Sequence, residues 1–360
     1  MIITGLRGVG KTVLLGRFRD ASLTERWAVV EYEAVKHDDH RFRRDLAMRL
    51  RAALFELSPR ARWTARFERA AAALSAFTVS VDATGQLQAG MNVDMIEGLA
   101  DHQDLSMDLT DVLLTLGEAA QDANRGVVLL IDEIQFLSRP QLEALIIALH
   151  KTVQRGLPLL VVGAGLPQVA ELAGDAKSYA ERLFTFPAIG NLEHADALEA
   201  MRGPARQESV EFTADALELA HDLTGGYPYF IQELGSAVWG VADSSPITRD
   251  DVAIAQEVYQ AKLDSSFFRV RLDRATELQT AYLRAMAELG PEPQKAADVA
   301  AVLDRESTQL GPTRAELIDM GLLYTPQHGY AAFTVPHFDL YMRRAIPEVL
   351  VPPKRPPRRR

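Results

Sequence analysis

The sequence predicts a three-layer α/β/α domain built on a parallel sheet, then a run of helices, then a small unit of helices and a hairpin. Three observations predict it. Before Leu192, short apolar β-branched runs alternate with stretches of helical spacing, a pattern that implies parallel pairing through right-handed crossovers. A glycine-rich turn joins the first such run to the first helix. Beyond Leu192 the strand-like runs disappear and helical periodicity takes over.

Each element follows from its residues. Met1 to Thr4 read as an apolar strand, and "KTVLLGRF" opens a helix. "WAVVEYEAV" (27–35) is a second buried strand, followed by a polar, Arg/Ala-rich helical stretch over 38–75. "FTVSVDATGQLQAGMNVD" (77–94) alternates apolar and polar residues around Gly85 and predicts an exposed hairpin. "DLTDVLLTLGEAAQDA" (108–123) is helical, with Asp108 as its expected cap. "GVVLLIDEIQFL" (126–137) is a strand buried on both faces that ends in two carboxylates. A helix over 141–153, a buried strand over 157–165 and a short fifth strand, "LFTFPAI" (183–189), complete the domain.

Helical spacing then governs 193–206, 213–223, 228–242 and 248–263, and a polar junction falls near 264–275. The last unit reads as helices over 276–289, 295–303 and 312–320, then a hairpin over 322–335. That is the layout of a winged helix-turn-helix, with Pro312 suited to the first turn of its third helix. The expected domains are therefore a core over 1–191, a helical lid over 192–264, a winged unit over 275–345 and a basic tail over 346–360.

Composition narrows the function. The 360 residues are 48% hydrophobic and 24% charged, as in ordinary globular proteins. There is no cysteine, which excludes disulfides and thiolate metal sites. No apolar run approaches membrane-spanning length and the N-terminus lacks a secretion-signal layout, so the expected location is cytoplasmic. The net charge of −10 conceals an asymmetry. The final "VPPKRPPRRR" holds Lys354, Arg355, Arg358, Arg359 and Arg360; setting these five aside leaves 34 basic against 49 acidic side chains, a balance of −15. The body repels a phosphate backbone and the tail attracts one.

The chemistry sits in two motifs. "GLRGVGKT" completes G-x-x-x-x-G-K-[ST] between a strand and a helix. Gly5, Gly8 and Gly10 let the backbone turn its N–H groups toward phosphate oxygens, and the helix N-terminus adds partial positive charge. Lys11 carries a full charge toward the β- and γ-phosphates, and the Thr12 hydroxyl is a ligand for Mg²⁺. Arg7, Val9 and Val13 complete the expected nucleotide contacts. The second motif, "VVLLIDEIQ", delivers Asp132 and Glu133 to a strand's C-terminal edge, where ligands bind in open α/β sheets. Asp132 is expected to hold Mg²⁺, and Glu133 to orient the attacking water.

"GLRGVGKT" with "LLIDE" resembles the AAA+/STAND branch of P-loop ATPases. "LPLLVVGAGLPQV", "SYAERLF", "TGGYPYFIQELG" and "FTVPHFDLYMRR" (333–344) resemble bacterial ATPases related to the origin-recognition type, which end in a winged helix. The resemblance implies strand order 5-1-4-3-2, a helical lid, and ATP held between core and lid. It assigns Gly226 and Pro228 to the adenine, after the glycine-x-proline motif, and Arg182 to transition-state charge, in cis or from a neighbouring subunit. Two departures stand out. Gly163, Ala164 and Gly165 bring no polar side chain to the end of the fourth strand, leaving Gln168 as the nearest one, and the lid turn has no arginine. Such a site suits slow turnover. In these relatives, chain ahead of the first strand covers the adenine; here only Met1 to Thr4 precede the loop, so either the start lies further upstream, the favoured expectation, or one wall of the base pocket is absent or supplied by a partner.

The expected function is an ATP-binding, Mg²⁺-dependent ATPase that works as a nucleotide-driven switch. Duplex DNA is a candidate partner through the winged unit and the tail. The third helix of that unit offers Arg314 but also Glu316 and Asp319, and the wing offers His328, so Arg305 and the tail must supply the attraction. Two alternatives remain open: a signalling scaffold that assembles on ATP with itself or a protein partner, and a DNA-binding regulator with a non-hydrolysing site. His37 and His40 read as a solvated loop, and Met91 and Met95 as packing.

Overall fold

The computed structural model describes residues 1–36, 38–79, 96–176 and 180–353. The chain forms two compact units. One comprises Met1–Gly5 and Lys11–Ile189; the other comprises Leu6–Gly10 and Gly190–Arg360. Five residues of the glycine loop thus belong with the C-terminal half.

In the first unit, β1 (Ile2–Thr4) leads through the loop to α1 (Lys11–Thr24) and β2 (Ala28–Glu33). Next come α2 (Asp39–Leu57), α3 (Ala65–Val79), α4 (Leu105–Asp122) and β3 (Val127–Asp132). The unit continues with α5 (Arg139–Gln154), β4 (Leu159–Gly165), α6 (Val169–Ala176) and the single turn α7 (Ala180–Leu183). The strands form a parallel sheet in the order β1-β4-β3-β2, with Ile2 opposite Gly163 and Leu129 opposite Val161. The 183–189 run flanks β1 through one parallel bridge, Thr4 to Ala188. The N–H groups of Ile2 and Thr4 donate to the carbonyls of Thr185 and Pro187 at 2.8 and 2.9 Å. The order is therefore 5-1-4-3-2, with the fifth member too irregular for a full strand.

Three layers result because successive strand side chains point to opposite faces. Val127, Leu129 and Ile131 join a large core with Leu50, Leu54, Phe77 and Leu113 from α2, α3 and α4. Val128, Leu130 and Val162 pack instead with Ile3 and with Leu15 of α1.

Some expectations change. α3 runs through Val79, so the start of the expected 77–94 hairpin is helical, because Phe77 is fully buried on its inner face. The remainder, with Met91 and Met95, lies outside the described residues, as does His37. Asp108 does not cap α4. Asp104 does, accepting from the N–H of Met107, and Asp108 lies one turn inside, fully buried against Arg43 at 2.7 Å.

The second unit opens with α8 (His194–Gln207), α9 (Ala214–Thr224), α10 (Pro228–Val241) and α11 (Arg249–Lys262). The expected polar junction is helical: α11 passes into a π-helical turn, Leu263–Phe268, and then α12 (Arg269–Leu272). Phe267 and Phe268 pull it inward. Phe267 stacks on Tyr229 with ring centroids 4.3 Å apart, and Phe268 on Tyr341 at 5.1 Å. Then follow α13 (Glu277–Leu289), β5 (Gln294–Lys295), α14 (Ala296–Val302) and α15 (Ser307–Asp319). The chain closes with β6 (Leu323–Tyr324), β7 (Tyr330–Phe333) and α16 (Phe338–Ala345). β5, β7 and β6 form a small antiparallel sheet. α15 starts five residues before Pro312, because Leu310 is buried; the proline sits inside the helix rather than in its first turn. Among the described residues no helix is long and apolar enough to cross a membrane.

Candidate nucleotide site

Glycine spacing shapes the loop. Gly8 and Gly10 sit at φ +80 and +93, the left-handed region that glycine enters without penalty. Among the described residues no acceptor faces the N–H groups of Gly8, Val9 and Gly10. Gly5 is fixed from the sheet, its N–H donating to the Gly165 carbonyl at 3.1 Å. The buried Lys11 ammonium donates to the Gly5 carbonyl at 3.0 Å, and Thr12 and Val13 are exposed at the start of α1.

β3 brings the acidic pair to this point. The Thr12 hydroxyl donates to Asp132 Oδ2 at 2.6 Å, across 120 residues of chain. Asp132 Oδ1 accepts the N–H of Glu133 at 2.8 Å. Glu133 itself adopts the left-handed conformation, φ 51 and ψ 37, uncommon for a residue with a side chain and worth a functional reading. One hydroxyl and one carboxylate are hard oxygen donors. They fit Mg²⁺, which takes one or two protein oxygens and completes its shell with phosphate and water.

Gln135 is a residue that sequence reasoning missed. Its Nε2 donates to Glu133 Oε2, and its Oε1 accepts the N–H of Leu166 at 3.1 Å, just past β4. A polar side chain thus does reach the end of β4, delivered from the loop after β3. It reaches there because Gly165 lacks a side chain: a Cβ at Gly165 would stand 2.7 Å from Gln135 Oε1. Gln168, the sequence candidate for that place, has a buried Oε1 without a partner among the described residues.

Within the second unit, the loop meets the turn before α10. Tyr229 donates its N–H to the Gly8 carbonyl at 3.2 Å, and a Cβ at Gly8 would lie 2.7 Å from the Tyr227 hydroxyl. Tyr227 is almost fully buried and its hydroxyl has no partner among the described residues; burial pushes its ionisation far up. Burial, then Glu233, raises Tyr229 to about 12. Gly226 serves a tight approach: at φ +71, its Cβ position is 2.5 Å from the Leu192 carbonyl oxygen. Pro228 occupies the first turn of α10. The tyrosines on either side of the proline touch the loop, and alternating Y-P-Y was the one signal of it. Arg182 is exposed on α7 and forms no ion pair or hydrogen bond among the described residues, with the Thr12–Asp132 pair or otherwise.

Comparison with known proteins bears on this geometry directly. The family model described as an AAA ATPase domain matches residues 1–162. The match supports an ATP-binding, ATP-hydrolysing domain in the N-terminal part of the chain. That description is one of nucleotide binding and ATP hydrolysis. A second family model, a domain of unknown function (DUF8462), matches residues 265–342. Among solved structures, a Walker-type ATPase of Pyrococcus abyssi is similar at 17% identity and a TM-score of 0.52, covering 95% of this chain and 90% of the other. The RuvB Holliday-junction branch-migration motor of Thermotoga maritima aligns at 17% identity and TM-score 0.46, over 92% and 83% of the two chains. The Orc1 protein of Aeropyrum pernix, solved in complex with DNA, aligns at 13% and 0.41, over 95% and 86%. Among curated proteins no match is found. The fold is shared with the Pyrococcus abyssi ATPase.

Proposed function

We propose that the ATPase domain runs a slow, Mg²⁺-dependent switch, cycling the chain between nucleotide-bound and nucleotide-free states. The observation that carries this is the Thr12–Asp132 hydrogen bond beside Lys11. It supports reading Thr12 and Asp132 as the pair of oxygens that would hold the ion. Loop amides and Lys11 hold the phosphates, while Thr12 and Asp132 hold the ion. The ion, when bound, neutralises charge on the β- and γ-phosphates. Glu133, one oxygen tied by Gln135, orients water with the other; the Gln135 amide at the end of β4 lies next to it. Arg182, free of partners among the described residues, is the candidate for added charge. Gly226 and Pro228 are assigned to the base, as the glycine-x-proline motif of STAND ATPases suggests.

Two variants test the reading. Lys11→Ala abolishes ATP binding in an equilibrium titration, and unchanged affinity sinks the cradle assignment. Glu133→Gln binds ATP but does not release phosphate; normal turnover in that variant removes its role.

DNA association is the second part of the reading, supported by the five cationic residues of the C-terminal tail and by the α13–α16 unit, read as a winged helix. Phosphate release with and without duplex DNA, at two salt concentrations, tests it. Stimulation that fades with salt supports it. Nucleotide-dependent oligomers with no response to DNA favour the scaffold, and DNA affinity that ignores ATP favours the regulator.

A further inference from the structure

The module over 265–342 has no assigned role, yet in the second unit it grips the glycine loop. The N–H of Arg7 donates to the Thr334 carbonyl at 3.3 Å, so this amide faces the module. The Arg7 guanidinium lies against Gly321, where a Cβ would collide with it, and Gly321 sits at φ +69. The Thr334 hydroxyl in turn donates to the Gly321 carbonyl at 2.7 Å, which ties the two contact points together. On the loop's next residue, the Gly8 carbonyl receives the Tyr229 N–H. Two consecutive loop residues are therefore held from outside, while the N–H groups of Gly8, Val9 and Gly10 have no acceptor among the described residues.

Charge points the same way. Arg271, also in the module, is half-buried and lies over the Phe267 ring, 3.9 Å from its centroid. Burial lowers its proton affinity first, and the nearby Arg7 cation lowers it further. Among the described residues no carboxylate pairs with either guanidinium, and each has a buried Nε without a partner. Two nearby cations without a paired acid leave positive charge beside the loop, which an anion bound there would offset.

We infer that the 265–342 module presets the glycine loop for phosphate by clasping Arg7 between Gly321 and Thr334, and that nucleotide in the loop tightens the clasp. Arg7 is then a positioning residue, acting through the loop backbone. The inference rests on the ATP-binding reading above and adds a partner to it, since a coupling between two sites is reciprocal.

The test uses the full chain, with the non-hydrolysable analogue AMP-PNP and Mg²⁺. Hydrogen exchange is followed at the Arg7 and Tyr229 amides and over 321–334, and affinity is measured for wild type, Gly321→Ala, Arg7→Ala and the double variant. The expected results are slower exchange at those amides with nucleotide, and affinity about tenfold weaker in each single variant, within the usual range of coupling. The double variant is expected to be little worse than either single one, because both changes break the same clasp. Exchange indifferent to nucleotide, or additive losses, overturns the inference. Should Gly321→Ala not fold, the wild-type exchange and Arg7→Ala still decide. If wild type binds AMP-PNP and Lys11→Ala does not, while the clasp variants bind as wild type, only this inference fails. If wild type does not bind, the ATP reading fails and takes the clasp with it.

Discussion

At the scale of single residues, the site turns on a hydroxyl, a carboxylate and an amide. Thr12 and Asp132 were legible as a pair because each motif fixes its own residue: the loop puts Thr12 at the helix start and five apolar residues put Asp132 at a strand end. Gln135 was not legible, because its reach depends on space created by Gly165 on another strand. The two positions exclude one another. Gly165→Ser adds a polar group to β4 but drives its Cβ into Gln135 Oε1, which takes the acceptor away from the Leu166 amide. We expect Gly165→Ser to lose about 2 kcal/mol in urea denaturation, in the range of overpacking with an unsatisfied amide. Adding Gln135→Ala restores part of it, and a neutral Gly165→Ser contradicts the account.

At the scale of elements, the sheet and its helices were readable from period and burial, and the errors have physical causes. An aspartate near a helix start reads as a cap, and the stretch offered Asp104 and Asp108 four residues apart. The outer one caps; the inner one accepts the N–H of His102 at 2.8 Å and pairs with Arg43, whose guanidinium covers the Phe77 ring at 4.8 Å. The two aspartates therefore differ in cost. Asp104→Ala removes a cap worth about 1 kcal/mol, whereas Asp108→Ala breaks a buried ion pair, about 3–5 kcal/mol. Chemical denaturation of both variants checks the ranking, and equal losses refute it. The helical passage over 263–272 escaped notice because "LDSSFF" is half polar; its two phenylalanines find ring partners far away in sequence, which no local pattern displays.

At the scale of the whole molecule, the alternation of strands and helices before Leu192 was enough to give the parallel sheet and its order, while contacts made by the glycine loop with residues more than 200 positions away were beyond reach. His337 adds a pH dependence. It stands at φ 61 before α16, against the Phe230 ring of α10 at 5.2 Å. Burial lowers its pKa from the ordinary 6.5, with Arg344 adding to this and Asp339 opposing it. The folded state thus favours the neutral ring. Its contribution is complete above about pH 6.5 and declines as the pH falls from there toward the lowered value, where the slope ends. His337→Asn, which tolerates this backbone conformation, is expected to flatten that part of the stability-against-pH curve; an unchanged slope points to other groups. The assignment of Leu6–Gly10 to the C-terminal unit has one more consequence. The linear boundary near residue 190 is not a place to cut. Scissors applied there leave a fragment with the whole fingerprint of an ATPase, yet five of its first ten residues lose the neighbours they pack against, so a truncated clone that binds poorly says little about the intact enzyme.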